Sequence, residues 1–170
     1  MEDEDNINYK YCYDINTKII RVSINNPMDV WSWREHLKVP YWFKIKVRLI
    51  TNPKTGYQNY TIKINYKHYI LSRVIYKCFN NKWDITDVSN NIIDHINRNS
   101  LDNRIENLRV LTNQQNGFNT IARGTYFVKK RNCWTAQLCI NGKIISKSGF
   151  DTEEAAHQHY LILKQKYHII

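Results

Sequence analysis

The chain has 170 residues, 42% of them apolar, enough for one modest core or two small ones joined by a short connection. Lys plus Arg number 25 against 15 Asp plus Glu, giving a formal charge of +10, which points to a polyanion and above all to nucleic acid. No stretch of 18 apolar residues and no basic leader with an apolar run is present. The expectation is a non-secreted, intracellular protein that does not enter membranes.

The acidic start Glu2-Asp3-Glu4-Asp5 reads as a short disordered tail. Asp29 to Pro40 is a weak segment whose Trp31 and Trp33 are expected to pack on a sheet. From Trp42 to Leu49 the residues alternate, Phe43, Ile45, Val47 and Leu49 against Lys44, Lys46 and Arg48, as one half-buried strand requires. A turn over residues 51 to 56 leads to Tyr60, Ile62, Ile64 and Tyr66, the returning arm of a hairpin. The apolar positions Ile70, Leu71, Val74, Ile75, Cys78 and Phe79 follow helical spacing, with Arg73 and Lys77 on the outer face.

Residues 91 to 94 form a short strand, 97 to 106 a polar Asn-rich loop and 109 to 111 a second strand. Thr112 then offers an N-cap to a helix running through Asn119. A further unit begins near Arg123: Tyr126 to Lys130, Trp134 to Ile140 and Lys143 to Ser148 are three short strands, the last two joined at Asn141-Gly142. Asp151 opens a final helix, with Glu154 three residues on as an Asp version of the capping box. Cys12, Cys78, Cys133 and Cys139 show no C-x-x-C pairing and read as reduced thiols, while His157 and His159 fall on different faces of the helix and do not form a zinc set.

The residues that carry chemistry lie between positions 94 and 116. Hydrolysis of a phosphodiester needs an activated water, neutralisation of the transition-state charge and help for the departing oxygen. Neighbouring residues at a strand end point in different directions, so Asp94 can hold a metal while His95 faces the water. Asn116 can supply a second oxygen ligand, and carboxylate, amide and water oxygens suit Mg²⁺ or Mn²⁺ better than zinc. Asn107 can hold the loop between the strands, or orient His95.

Asp94-His95, then Asn107-Leu108-Arg109, then Asn116 resembles the HNH endonucleases of the homing type, and Asn97-Arg98-Asn99 with Asp102-Asn103-Arg104 fits that family's polar loop. The resemblance implies that His95 is the general base, that Asp94 and Asn116 bind the metal, and that Asn107 is the structural Asn of the catalytic motif. Many relatives carry His beside Arg in the preceding helix; this chain has Ser72-Arg73. Residues 123 to 168 resemble the DNA-binding domain of plant APETALA and ethylene-response transcription factors, through Arg123-Gly124, Trp134-Thr-Ala136-Gln137, Gly142-Lys143 and Phe150-Asp-Thr-Glu-Glu-Ala155-Ala156 with Tyr160. That family lays its sheet in the major groove. Trp134, Ala136 and Leu138 are then expected to face the helix, and Thr135, Gln137 and Cys139 the DNA.

Together these imply an α+β protein: an N-terminal β-rich segment (1–56), a ββα-metal (His-Me finger) HNH nuclease lobe (57–120), and a three-stranded antiparallel sheet packed on one helix (121–170). The expected function is site-specific cleavage of double-stranded DNA with Mg²⁺ or Mn²⁺, by a monomer or weak dimer. The alternative is a non-catalytic DNA-binding regulator that retains the HNH scaffold. DNA contacts are expected from Lys44, Lys46, Arg48, Arg98, Arg123, Lys129, Lys130, Arg131, Gln137, Lys143 and Lys147.

Overall fold

The computed structural model describes residues 8–35, 38–88, 91–118 and 123–167, the side chains of Gln114 and Phe118 excepted. The acidic start, His36, Asn119 and His168 lie outside the described residues. The chain divides into two compact units, residues 1–110 and 111–170.

The first unit opens with an antiparallel meander of four strands in sequence order: β1 (Tyr9–Ile15), β2 (Lys18–Ser23), β3 (Val30–Arg34) and β4 (Tyr41–Lys44). Alternation places Cys12, Ile20, Val22 and Val30 on the inner face, all fully buried. The outer face carries aromatic rings around the Arg21 guanidinium, which sits 4.2 Å above the Tyr9 ring and 4.3 Å above Trp42. Trp31 and Trp33 do pack on a sheet, on this outer face and not in the core. Trp31 donates its indole N–H to Asp29 at 3.0 Å, and Trp33 meets Trp42 at 5.2 Å between centroids.

A second sheet follows, from β5 (Arg48–Thr51), β6 (Gln58–Ile64) and β7 (Lys67–Ile70). The single strand expected over Trp42 to Leu49 is thus two strands in two different sheets. The chain leaves the first sheet after Lys44, buries Ile45, and enters the second at Arg48, so Phe43 and Leu49 are exposed instead of sharing a buried face. An alternating pattern fixes side-chain direction but not which neighbour a strand pairs with. The returning arm is β6, and its Tyr66 lies beyond the strand, 87% exposed in the turn to β7. Two turns clasp the sheets together: the Asn16 carboxamide donates to the carbonyls of Ile64 and Asn65, each at 3.1 Å.

Helix α1 (Leu71–Phe79) buries Leu71, Val74, Ile75 and Cys78 against Cys12, Ile15, Ile20, Ile62 and Leu108, so one apolar core runs from β1 to residue 108. Arg73 and Lys77, expected on the outer face, instead pin the following loop. Arg73 donates to the carbonyls of Ile85, Asp87 and Asn91 at 2.7 to 2.8 Å, and Lys77 to those of Asn81 and Trp83. That loop delivers the chain to a two-stranded sheet of β8 (Ile92–His95) and β9 (Leu108–Leu111).

The second unit contains helix α2 (Asn113–Phe118) and a three-stranded antiparallel sheet, β10 (Thr125–Val128), β11 (Cys133–Ile140) and β12 (Lys143–Phe150), covered by helix α3 (Glu153–Tyr167). Ala136 and Leu138 pack against Ala156, Tyr160 and Leu163, with Trp134 beside them. Helix α3 starts later than expected: Thr152, not Asp151, is the cap, its hydroxyl accepting from the Ala155 N–H at 3.1 Å. Thr135, expected on the DNA side, is wholly buried and donates to the Ser148 hydroxyl at 2.9 Å, beside a register shift between Trp134 and Thr135. The extra residue of that bulge is Gly149 on β12, so β11 keeps its alternation and Thr135 lies on the face opposite Ala136, but covered.

Among the described residues no helix is long and apolar enough to cross a membrane. The four cysteines are free thiols, Cys12 and Cys78 in the core and Cys139 exposed.

Candidate active site

Asp94 and His95 end β8, and both are buried, at 7% and 9% exposure. A buried carboxylate requires a partner. Arg109, on the paired strand β9, supplies one: its Nε donates to Asp94 Oδ2 at 2.9 Å. A carboxylate has about four lone-pair directions, so this bond does not exhaust its capacity as a ligand.

His95 is oriented by Asn103, which is itself only 3% exposed. Its ring Nε2 lies 3.1 Å from Asn103 Oδ1. An amide oxygen only accepts, so Nε2 carries a hydrogen in this contact. The contact therefore fixes the orientation of the ring.

Asn107, expected either to hold the loop or to orient His95, spends its carboxamide on the loop. Its Oδ1 accepts from the Asn97 N–H at 2.9 Å, and its Nδ2 donates to Asn97 Oδ1 at 3.0 Å and to the Asp102 carbonyl at 2.7 Å. The Ile96 N–H in turn donates to the Asn107 carbonyl at 2.9 Å. Asp102 closes the loop from the other side, accepting two bonds from Arg104, at 2.8 and 2.7 Å, and one from Asn97 at 2.9 Å. The Arg104 guanidinium holds the Asp102 carboxyl far below the usual carboxylate range. The Asn-rich stretch is thus a cross-braced frame that carries Asn103 to the imidazole.

Asn116 sits half-buried on α2, in the second unit. The helix begins with a reciprocal cap: the Gln115 N–H donates to the Thr112 hydroxyl at 3.2 Å, and the Thr112 N–H donates to Gln115 Oε1 at 3.0 Å.

The expected DNA-contact residues separate into two kinds. Lys44 is paired with Asp29 at 2.6 Å and Arg123 with Glu153 at 2.9 Å. Burial resists ionisation of Asp29, but hydrogen bonds from Lys44 and Trp31 outweigh it and hold the carboxyl below its ordinary value. Lys46 and Arg48 are exposed and border a cavity in the first unit. Arg98 is exposed in the frame loop, with a left-handed backbone (φ 63°). Lys129, Lys130 and Arg131 form an exposed 3-10 turn between β10 and β11; Lys143 and Lys147 are exposed on β12, and Gln137 is half-buried on β11.

Asn103 and the pairing of Arg109 with Asp94 were missed at the level of sequence. Asn103 stood among turn-forming residues and looked like one of them. The usable signal for Arg109 was a cation on the strand paired with the one that ends in Asp94.

A carboxylate oxygen, as on Asp94 in the first unit, and a carboxamide oxygen, as on Asn116 in the second, are each a ligand type that suits a hard divalent cation. Among the described residues no three His, Cys, Asp or Glu side chains gather as a metal group, so such a site would have to draw on carboxamide oxygen.

Residues 69–118 match the family model described as HNH endonuclease. The match starts in β7, ends with α2, and includes Asp94, His95, Asn103, Asn107, Arg109 and Asn116. It supports an HNH nuclease with DNA as substrate. No curated protein and no solved structure matches the chain.

Proposed function

We propose that the chain is a homing-type DNA endonuclease that hydrolyses one strand per binding event, leaving 5′-phosphate and 3′-hydroxyl ends. The observation that carries this reading is the buried Asp94-His95 pair, with Arg109 on the carboxylate and Asn103 on the imidazole, inside the segment that matches the nuclease family.

His95 accepts a proton from the attacking water, while Asn103 holds the ring in place through Nε2. The water oxygen bonds to phosphorus, the bond to the 3′ oxygen breaks, and that oxygen takes a proton from a solvent water. Arg109 steadies Asp94, and the frame around Asn107 fixes where the loop stands. Asp94 and Asn116 would hold Mg²⁺ or Mn²⁺, which when bound supplies charge neutralisation at the scissile phosphate. The C-terminal sheet, resembling the APETALA and ethylene-response domain, would select the site through Gln137, Lys143 and Lys147, with Lys129, Lys130 and Arg131 on phosphates. The centre acts in a monomer or weak dimer, and a double-strand cut requires two centres.

Supercoiled plasmid tests this. It should be relaxed with Mg²⁺ or Mn²⁺, stay intact with EDTA, and stay intact with His95→Ala while duplex binding persists. Binding without nicking by the wild type under any divalent ion would leave a DNA-binding regulator on a nuclease scaffold. Retained nicking by His95→Ala would remove the assigned base.

A further inference from the structure

Within the first unit, a cavity of about 190 Å³ opens between the four-stranded sheet and the β5–β7 sheet. Its wall carries Lys18, Arg34, Lys46, Arg48 and Lys63 around Phe43, and no carboxylate. Those five cations come from both sheets and the link between them, at the seam that the Asn16 clasp holds closed. None has an acidic partner among the described residues. Arg34 lies 5.0 Å above the Phe43 ring and Lys63 5.5 Å from that of Tyr66, contacts that leave their charges unneutralised.

Several other cations of this unit are engaged: Lys44 by Asp29, Arg104 by Asp102, Arg109 by Asp94, and Arg73 and Lys77 by loop carbonyls. Like charges gathered without counter-charge repel one another, and a fold that keeps them together is suited to an anion. Five cations exceed what one small anion would neutralise, whereas a polymeric phosphate backbone presents its charges in series.

We infer that this seam is a second DNA-docking site, outside the nuclease motif, in which Lys18, Arg34, Lys46, Arg48 and Lys63 seat the phosphodiester backbone of duplex DNA. The inference rests on the reading of the chain as a DNA endonuclease and extends it to residues 18–65. Lys44, tied to Asp29 on the outer face of its sheet, is not part of the seat.

The test is binding of the full chain to a fluorescent DNA duplex in EDTA, followed by anisotropy over a range of salt concentrations. Removing one cation from a phosphate should flatten the slope of log K against log salt by about 0.9. Lys46→Gln/Arg48→Gln/Lys63→Gln should therefore flatten it by roughly 2 to 3 and weaken binding at least ~10-fold at low salt. A charge-matched control, Lys54→Gln/Lys67→Gln/Lys82→Gln, should leave the slope within about 0.5 of wild type. Single Lys46→Gln and Lys63→Gln variants, which break no ion pair, give the same reading if the triple variant folds poorly. An unchanged slope, or equal flattening by the control, overturns the site. Tighter binding of an equal-length RNA duplex, with the same sensitivity to the triple variant, would overturn DNA as the occupant. Because cleavage is silent in EDTA, a wild type that never nicks plasmid but shows the slope change would sink the nuclease reading alone. Normal nicking with an unchanged slope would sink the seam alone.

Discussion

Asn103 makes the most informative single contact in the site. If its carboxamide oxygen orients the His95 ring, Asn103→Ala should lower kcat by about 10- to 100-fold, the usual scale for removing an orienting partner. KM for DNA should change little, so the loss falls on the chemical step and not on binding. Asn103→Asp, which restores an acceptor to Nε2, should recover part of the rate; equal impairment of both variants would reduce Asn103 to a packing residue. Asp102 carries a prediction about acid. Its folded-state pKa is depressed by Arg104, so its ionised contacts favour the folded loop fully above the ordinary carboxylate pKa of about 4, and that contribution fades as pH falls towards the folded value. The side-chain amide signals of Asn97 and Asn107 should stay at their neutral-pH positions down to about pH 4. Shifts beginning at pH 5 or above would show that the brace is weaker than its geometry indicates.

Among the elements, the close approach of β10 to α3 has the narrowest tolerance. Gly124 precedes β10 with a left-handed backbone (φ 63°), and a Cβ there would run into the Tyr160 ring, itself 5% exposed in the second core. Gly124→Ala should cost about 2 to 4 kcal/mol through backbone strain and displacement of that ring. Chemical denaturation checks this, and a cost under 0.5 kcal/mol would mean the ring has room to move. Elements with strong local codes were legible: α1 from its apolar spacing, the β11–β12 hairpin from Asn141-Gly142, and the cap of α2 from Thr112. Partnerships set by tertiary structure were not. Nothing between Trp42 and Leu49 indicates that pairing switches sheets at Ile45, because Ile45 and Val47 keep the alternation through the switch. Strands β1 and β2 were missed because polar and charged residues interrupt their apolar runs, and burial on one face alone is a weak signal in short strands.

Over the whole molecule, the candidate residues were readable by type and spacing while their connections were not. Asp94, His95, Asn107 and Asn116 stood out by residue type and spacing. The division of labour between Asn107 and Asn103 appears only when the loop is folded, since either carboxamide could have reached the ring. Charge behaved the same way: the sum of +10 pointed to a polyanion, but which cations are already neutralised is a matter of three-dimensional neighbours. Lys44 and Lys46, two residues apart, fall on opposite sides of that line.

The core that joins β1 and β2 to α1 has a consequence for where this protein can be cut. The segment matching the nuclease family begins at residue 69, yet the apolar stripe of α1 rests on Cys12, Ile15 and Ile20 from far upstream. A fragment trimmed to the recognisable motif would leave Leu71, Val74, Ile75 and Cys78 facing water, each large aliphatic side chain forgoing about 1.5 to 3 kcal/mol of burial. The N-terminal meander is therefore the missing half of the interior of the family-matching segment, and engineered boundaries belong before Tyr9.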